Sequence, residues 1–182
     1  MPVTERTYET VALEDPEGFW ELWGGRLREK PGMSWEHGEG MLELGYSLRD
    51  QLGRDRYRVR INHARARRSE TTVFIPDVAV IPIAYGEPLR GRPGTLEIYD
   101  DPLPFVAEIW SRSTGDYDVD AKLPEYQSRG DLEIWRLHPY DRTVTVWRRQ
   151  PDGSYQESFY RGGVVPVLSL PGVTIDLDAL FD

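Results

Sequence analysis

The sequence contains no cysteine, which excludes a disulfide framework and a zinc site built on thiolates. Histidine is scarce as well. His37, His63 and His138 are the only three, so a metal centre made of imidazoles alone is not expected. If a metal binds, oxygen atoms must supply most of its ligands, and oxygen ligands favour Mg²⁺, Mn²⁺ or Ca²⁺.

Long hydrophobic runs are also missing. No apolar stretch approaches the roughly 18 residues that a membrane-spanning helix needs, and the amino terminus shows no signal-peptide core. We therefore expect a cytoplasmic protein without a membrane partner. The length of 182 residues, with six tryptophans and ten tyrosines, predicts one folded domain over residues 1–182 rather than a disordered chain.

Positive charge is in deficit overall but is concentrated in one segment. The net charge of −9 argues against a nucleic-acid partner, because phosphate contacts need Lys and Arg. Residues 49–68 nevertheless contain eight arginines and only two acids. Within them an alternating stripe is formed by Arg54, Arg56, Arg58 and Arg60. Such a stripe either follows a phosphate backbone or forms a solvated strand edge that pairs with the protein's many acids.

Hydrophobic periodicity predicts an α/β domain with a mixed sheet and a helix on each side. The predicted strands cover residues 20–23, 26–29, 57–61, 73–81, 104–110, 132–137, 143–149 and 154–160. Residues 84–102 are expected to form a long loop. The order helix, strand, strand, strand, helix, strand makes an αβββαβ core, to which a β-hairpin is added at each end.

Two principal helices complete this core. The first is expected at residues 35–52, with Ser34 as its N-cap. The second is expected at roughly 117–129, but Pro124 is comfortable only in a first helical turn. Either this helix starts late, after an aspartate cap, or it is kinked. A short helix or turn is expected at 177–181.

An acid interrupts the most apolar predicted strand. Asp77 lies within residues 73–81, where an ionised carboxylate is costly unless a cation, a partner charge or several donors meet it. Glu108 lies in a similar setting within residues 105–110. Two carboxylates on adjacent inner strands repel one another unless a cation bridges them or one takes a proton. Each acid is either paired with an arginine in a structural role, or the two together hold a hard cation at a solvent-reachable spot.

Lysine is nearly absent, since 20 of the 22 basic residues are arginines and only Lys30 and Lys122 are lysines. A lysine in such a chain suggests a place that needs a compact, strongly hydrated charge. Lys122 stands near the start of the second predicted helix. It is either a solvated first-turn side chain or a group that assists an attacking water and offsets negative charge on phosphorus.

Several segments carry a resemblance to a known family. They are, in chain order, Trp20-Glu-Leu-Trp-Gly-Gly-Arg-Leu27, Glu36-His37, Ile75-Pro-Asp-Val-Ala-Val80, Glu108-Ile-Trp-Ser-Arg-Ser-Thr114, Asp120-Ala-Lys-Leu123 with Tyr126, Leu132-Glu-Ile-Trp135, and Leu170-Pro-Gly-Val-Thr-Ile175 with Leu180-Phe181. As an ordered set that covers nearly the whole chain, they resemble the Uma family of restriction-endonuclease-like proteins, which belongs to the PD-(D/E)xK nuclease superfamily.

The resemblance implies a restriction-endonuclease-like αβββαβ core in which Asp77 and Glu108 chelate Mg²⁺ or Mn²⁺. The backbone carbonyl of Ile109, or a water, would be the third ligand. The sequence departs from the superfamily pattern at Trp110, which stands where the lysine should follow the second acid by two positions. The resemblance implies that Lys122, on the following helix, takes the place of that lysine.

Glu36 and His37 match the Glu-His pair of the family. Glu36 shares one helical face with Glu39 and Glu43, at spacings of three and four. Glu36 therefore either reaches the metal site as a further ligand or acceptor, or belongs to a solvated acidic stripe. A lone histidine such as His37 is more often structural than catalytic.

Three functional hypotheses follow. The first is a metal-dependent endonuclease that hydrolyses phosphodiester bonds, with DNA as the substrate by family analogy. The second is the same fold kept without turnover, as a module that binds nucleic acid or protein. The third, suggested by the aromatic hairpins, is a sheet domain that serves mainly as a homodimer scaffold.

Overall fold

The computed structural model of the chain describes residues 2–115 and 117–182. Its strands are β1 (Trp20–Trp23), β2 (Arg26–Glu29), β3 (Tyr57–Ile61), β4 (Arg65–Ser69), β5 (Thr72–Phe74), β6 (Val78–Pro82), β7 (Ile98–Tyr99), β8 (Phe105–Ile109), β9 (Glu133–His138), β10 (Thr143–Arg149), β11 (Tyr155–Tyr160), β12 (Val164–Pro166) and β13 (Thr174–Asp176). Its helices are α1 (Glu5–Glu14), α2 (Trp35–Gln51), α3 (Ile83–Gly86), α4 (Leu123–Arg129) and α5 (Leu177–Leu180), with a 3₁₀ turn at Glu87–Leu89 and a π-helical turn at Asp118–Lys122.

A six-stranded sheet forms the centre of the fold, in the order β11-β10-β9-β8-β6-β3. Strands β8 and β9 are parallel, and the other neighbours are antiparallel. A parallel pair needs a crossover connection, which α4 supplies here. The elements α2, β3, β6, β8, α4 and β9 follow one another as an αβββαβ core, which confirms the predicted fold class.

This sheet has a helix on each face. Helix α2 packs on one face through Met41, Leu44 and Leu48, which join the buried apolar residues of β6 and β8. Helix α4 covers the other face, where Tyr126 and Trp147 belong to a second apolar cluster. The helix on each side therefore buries one face of the central strands, as the continuous apolar character of β6 and β8 requires.

The predicted strand over residues 73–81 is wrong, because the chain breaks it into β5 and β6. Strand β5 belongs to a second, five-stranded sheet in the order β2-β1-β5-β4-β7, whereas β6 belongs to the six-stranded sheet. The break lies at Pro76 and Asp77. Proline has no N–H to donate to a sheet, and the neighbouring Ile75 N–H and carbonyl bond to the side chains of Glu21 and Lys30 instead of a strand.

Sequence periodicity also missed several short elements. The segment 84–102, expected to be a loop, contains most of α3, the 3₁₀ turn and β7. Strand β4 has a polar sequence without alternation. Acids contact two of its arginines, Glu5 and Asp100 on Arg67 and Glu125 on Arg68. The short pair β12–β13 was likewise not predicted.

The second principal helix starts late. The π-helical turn precedes α4, and Pro124 lies in the first turn of α4. Backbone N–H groups in a first turn have no partner within the helix, so a proline there costs no helical hydrogen bond. Lys122 is the residue at the N-cap position, so the expected aspartate cap is wrong. Within residues 2–115 and 117–182, no helix combines the length and apolar character needed to cross a bilayer.

Two glycines of α2 give a test of the helix–sheet packing. A Cβ on Gly45 would stand 2.5 Å from Cδ1 of Ile61, whereas a Cβ on Gly38 would meet nothing within 4 Å. We expect Gly38→Ala to raise the free energy of unfolding by about 0.5–1 kcal/mol, because alanine favours a helix over glycine. Gly45→Ala should lower it, since Ile61 must move, and adding Ile61→Val should restore part of the loss. Urea denaturation measures all three; equal stabilisation by both alanines would contradict the close approach.

Candidate active site

Asp77 lies at the junction of the two sheets and is almost fully buried, with 1% of its surface exposed. Its Oδ1 accepts a hydrogen bond of 2.7 Å from the Lys30 ammonium. Its Oδ2 accepts one of 2.7 Å from the Ile109 N–H, and His37 Nε2 lies 3.1 Å from the same oxygen. The carboxylate is thereby fixed by the hairpin that ends at Lys30, by the first turn of α2 and by the end of β8.

The Lys30 ammonium donates all of its hydrogens to oxygen. Besides Asp77, it contacts Asn62 Oδ1 and the Ile75 carbonyl, each at 2.8 Å. Asn62 is buried and has a φ of 49°, a left-handed conformation that asparagine tolerates better than most residues. This turn at the end of β3 aims the Asn62 amide at Lys30.

Glu108 and Lys122 form the second half of the cluster. Glu108 Oε1 accepts hydrogen bonds from the Tyr126 hydroxyl at 2.6 Å and from the Lys122 ammonium at 3.1 Å. Lys122 Nζ also lies 2.9 Å from Glu21 Oε1. Lys122 is 1% exposed, so the alternative of a solvated first-turn lysine is wrong.

The two halves adjoin one another. Strands β6 and β8 pair at Val78 and Ala107, the residues next in sequence to Asp77 and Glu108, and Lys122, which contacts Glu108, also helps to lower the pKa of Asp77. Glu21 closes the arrangement, because its Oε1 accepts both from Lys122 and from the Ile75 N–H at 2.8 Å. We refer to Glu21, Lys30, Asp77, Glu108 and Lys122 as the ionic cluster.

Charge in the ionic cluster is almost balanced. Its three carboxylates face two ammonium groups. Burial alone would raise the pKa of Asp77, but Lys30, His37 and Lys122 together hold that pKa well below its usual range. Among the residues that the structure describes, the buried His37 Nδ1 finds no hydrogen-bond partner.

The ionic cluster is covered, whereas the sequence led us to expect a solvent-reachable pair of acids. Tyr117 lies near Glu21, and burial raises the pKa of the Tyr117 phenol, with the Glu21 carboxylate adding to the effect. The Arg28 guanidinium stacks on the Tyr117 ring at 3.4 Å from its centroid. Trp23 meets the same ring edge-on at 5.4 Å and is 42% exposed.

The oxygen atoms in and around the cluster are of the chemical type that binds a hard divalent cation. Carboxylate, amide and carbonyl oxygens are the ligands that Mg²⁺ and Mn²⁺ prefer, and the oxygens of Asp77, Asn62 and Ile75 already surround one cation, the Lys30 ammonium. Over residues 2–115 and 117–182, no three acidic or histidine side chains converge as metal ligands do. An ion on Asp77 Oδ1 would therefore have to replace the ammonium of Lys30.

Other residues predicted for the site lie elsewhere or contribute differently. Glu36 is exposed and accepts a hydrogen bond of 2.9 Å from the Tyr140 hydroxyl, outside the ionic cluster. The N–H of Ile109 contacts Asp77, while the role of its carbonyl stays a prediction. Arg60 is paired with Glu97 at 2.8 Å.

The rest of the predicted arginine stripe lies toward the start of β3. Arg54 and Arg56 are exposed in the turn before that strand, and Arg58 donates to the backbone carbonyls of Arg54 and Tyr57. The site lies at the opposite end of β3, next to Asn62. The structure thus brings Asp77, Glu108, Lys122 and His37 together, but not the arginine stripe.

Sequence reasoning missed two members of the cluster, Glu21 and Lys30. Glu21 lies between apolar residues of β1, as Asp77 and Glu108 lie in apolar segments, and the same signal identifies it. Lys30 shares with Lys122 the rarity of lysine in this chain. Nothing in the sequence showed that the amino-terminal hairpin would pack beside Asp77.

Comparisons with known proteins agree with this architecture. The sequence profile of the Uma2 family, described as "Putative restriction endonuclease", matches residues 6–178. Among solved structures, that of "a putative nuclease belonging to DUF820" from Anabaena variabilis ATCC 29413 aligns with a TM-score of 0.78 and 19% identity, over 99% of this chain and 98% of that one. The likeness shows a shared fold. A comparison with curated proteins gave no match.

Removing the Lys30 ammonium should expose the cost of burying Asp77. We expect Lys30→Met to lower the free energy of unfolding by about 3–5 kcal/mol, because it leaves a buried carboxylate without its cation. In an Asp77→Asn background the same change should cost less than half as much. Chemical denaturation of the four proteins gives this cycle, with Arg26→Met on the same hairpin as the surface control. Equal costs in both backgrounds would mean that Lys30 acts through packing alone.

The lowered pKa of Asp77 predicts how stability depends on pH. The unfolded chain takes up this proton near pH 4, before the folded chain does, so the contribution of Asp77 is complete above about pH 5 and is lost as the pH falls toward the folded-state pKa. Below pH 4, Asp77→Asn should lose stability less steeply than the wild type, by up to about 1.4 kcal/mol per pH unit. Urea midpoints between pH 7 and pH 3 test this, with exposed Asp50→Asn as the control; parallel curves would contradict it.

Proposed function

The chain belongs to the Uma2 family, and we propose that it is a metal-dependent endonuclease that hydrolyses phosphodiester bonds in DNA. Asp77, Glu108 and Lys122 are the residues that we assign to its reaction centre. The observation that supports this most is the contact of Lys122 with Glu108 at 3.1 Å, because the same ammonium group also acts on the buried Asp77 carboxylate. The family description supports a nuclease in general.

This proposal assigns three protein ligands to the predicted ion. Asp77, Glu108 and the Ile109 carbonyl would hold Mg²⁺ or Mn²⁺, and the bound ion would supply polarisation of a phosphoryl oxygen and of the attacking water. The Ile109 N–H and His37 fix the Asp77 carboxylate from one side. The Tyr126 hydroxyl fixes Glu108 in the same way. These contacts keep both carboxylates oriented without reorganisation during the reaction.

Lys122 supplies positive charge at the reacting phosphate. Phosphoryl transfer places negative charge on the oxygens around phosphorus, and an ammonium held in a dry site stabilises that charge more than it would in water. Glu21, 2.9 Å from Lys122 Nζ, is the residue that positions it. The π-helical turn that ends at Lys122 brings this side chain inward, and such turns are frequent at functional sites.

Substrate entry in this proposal requires the cover to move. We assign this cover to the Tyr117 ring, on which the Glu21 and Lys122 charges act, together with its Arg28 and Trp23 neighbours. A phosphate that displaced Tyr117 would meet Lys122 first, and the positive charge of Arg28 would favour its approach.

A second function is favoured by the internal neutralisation of the cluster. Asp77 and Glu108 each contact an ammonium group of the same chain, at 2.7 and 3.1 Å. A fold stabilised in this way can persist as a nucleic-acid or protein-binding module without turnover. The two functions differ in whether an added divalent ion produces cleavage.

Incubation of supercoiled plasmid and of single-stranded DNA with Mg²⁺ or Mn²⁺ separates the two. We expect wild-type protein to cleave, and Asp77→Asn and Lys122→Ala each to slow cleavage by at least about 100-fold, since the first removes a carboxylate that would hold the ion and the second removes the positive charge at the reacting phosphate. Asp50→Asn, an exposed acid, is the matched control and should cleave at the wild-type rate. Circular dichroism checks that each variant is folded.

Each result has a distinct meaning. Cleavage that is undiminished by Asp77→Asn would place the activity at another site or in a contaminant. Binding of DNA without cleavage in either metal would overturn the nuclease and support the binding module.

A further inference from the structure

The central sheet continues past Glu108 as an open surface. On the face that carries α4, residues that are direct cross-strand partners form rows across β8, β9, β10 and β11. The first row, with Ile134 and Trp147, is buried beneath α4 in the cluster that contains Tyr126. The next row is Glu108, Arg136, Thr145 and Phe159. It starts at the ionic cluster and ends on a side chain that is 54% exposed.

A third row lies beyond the cover of α4. His138 pairs with Thr143 on β9 and β10. Trp110 stacks on the His138 ring with centroids 4.4 Å apart and an interplanar angle of 22°. Tyr140 meets Trp110 edge-on at 5.7 Å and is 50% exposed. Trp110, His138 and Tyr140 therefore form an aromatic group at this end of the sheet, and Tyr140 is its exposed member.

A depression of about 300 Å³ lies between the second and third rows, and Arg161 and Phe159 line its outer side. Its volume is at the lower end of the range for small-ligand sites. The Arg161 guanidinium lies 5.3 Å from the centroid of the Phe159 ring, and the described residues give Arg161 no acidic partner within 4 Å. The one acid in its lining is Asp141, whose Oδ2 lies 3.5 Å from His138 Nδ1.

We propose that this surface, the exposed end of the row from Glu108 to Phe159 with Trp110, His138, Tyr140 and Arg161, binds a single strand of nucleic acid next to the ionic cluster. Aromatic faces bind unpaired bases by stacking, which is available to single strands but not to bases inside a duplex. The positive charge of Arg161 complements the phosphates that link those bases. Three steps of about 4.8 Å between strands separate Glu108 from Phe159, so the surface accommodates a few nucleotides.

This inference rests on the proposed function for the nature of the ligand, and it names the strand that the function acts on. It also distinguishes two surfaces of the protein. The predicted arginine stripe lies on and before β3, which is the edge strand opposite to β11. Substitutions on the two edges therefore separate the two candidate nucleic-acid surfaces.

Binding of a fluorescently labelled oligonucleotide, single-stranded or duplex, is measured by anisotropy with EDTA present, so that turnover plays no part. We expect the full chain to bind the single strand more tightly than the duplex. Phe159→Ala should weaken single-strand binding by roughly ten-fold, in line with the loss of one stacked base. Arg161→Gln should reduce the slope of log K against log salt by about 0.7.

Two matched controls lie outside the surface. Arg54→Gln removes an exposed arginine of the predicted stripe, and Tyr46→Ala removes an aromatic side chain that is 50% exposed on α2. Both should leave single-strand binding unchanged. Phe159 and Arg161 are exposed, so their variants are expected to fold, which urea denaturation verifies.

The outcomes are separable from those of the cleavage assay. Duplex binding as tight as single-strand binding, or a loss on Arg54→Gln without a loss on Phe159→Ala, would overturn the inference even if DNA is cleaved. The expected binding pattern without cleavage in Mg²⁺ or Mn²⁺ would leave the inference standing and overturn the nuclease.

Discussion

The pairing of buried carboxylates with two lysines is the interaction on which the rest of the structure depends. A buried carboxylate without a cation costs several kcal/mol, a large share of the stability of a domain of this size. Lys30 and Lys122 meet that requirement for Asp77 and Glu108. Because these lysines come from the amino-terminal hairpin and from the turn before α4, the pairing also fixes both segments to the central sheet.

This pairing bears on function in two opposing ways. It gathers acids and lysines at the ends of neighbouring strands, which is the arrangement that phosphodiester hydrolysis needs. It also satisfies the acids internally and leaves them buried. Whichever function the protein performs, the balance between internal cations and an external ligand decides the state of the site, since a ligand must bind more tightly than the ammonium that it replaces.

Much of the architecture could be predicted from the sequence, because the apolar periodicity of α2, β3, β8 and β9 follows directly from the faces that they bury. The cluster could be predicted only in part. Asp77 and Glu108 stood out as acids in apolar segments, but Lys30 lies among exposed and half-buried residues of a hairpin, and its position depends on a sheet–sheet contact that no local pattern encodes. The strand at 73–81 was predicted as one because hydrophobicity does not show that Pro76 and Asp77 transfer the chain between two sheets.

The amino-terminal hairpin has a consequence for synthesis. Glu21 and Lys30 leave the ribosome well before Asp77 and Lys122, since translation proceeds from the amino end. A charged side chain without its partner stays hydrated, so the Glu21 and Lys30 side chains of the nascent hairpin are not buried at that stage. We expect the hairpin to pack on the central sheet only after the segment with Lys122 has emerged. Until then β1 and β5 stay accessible to chaperones that recognise exposed apolar strands.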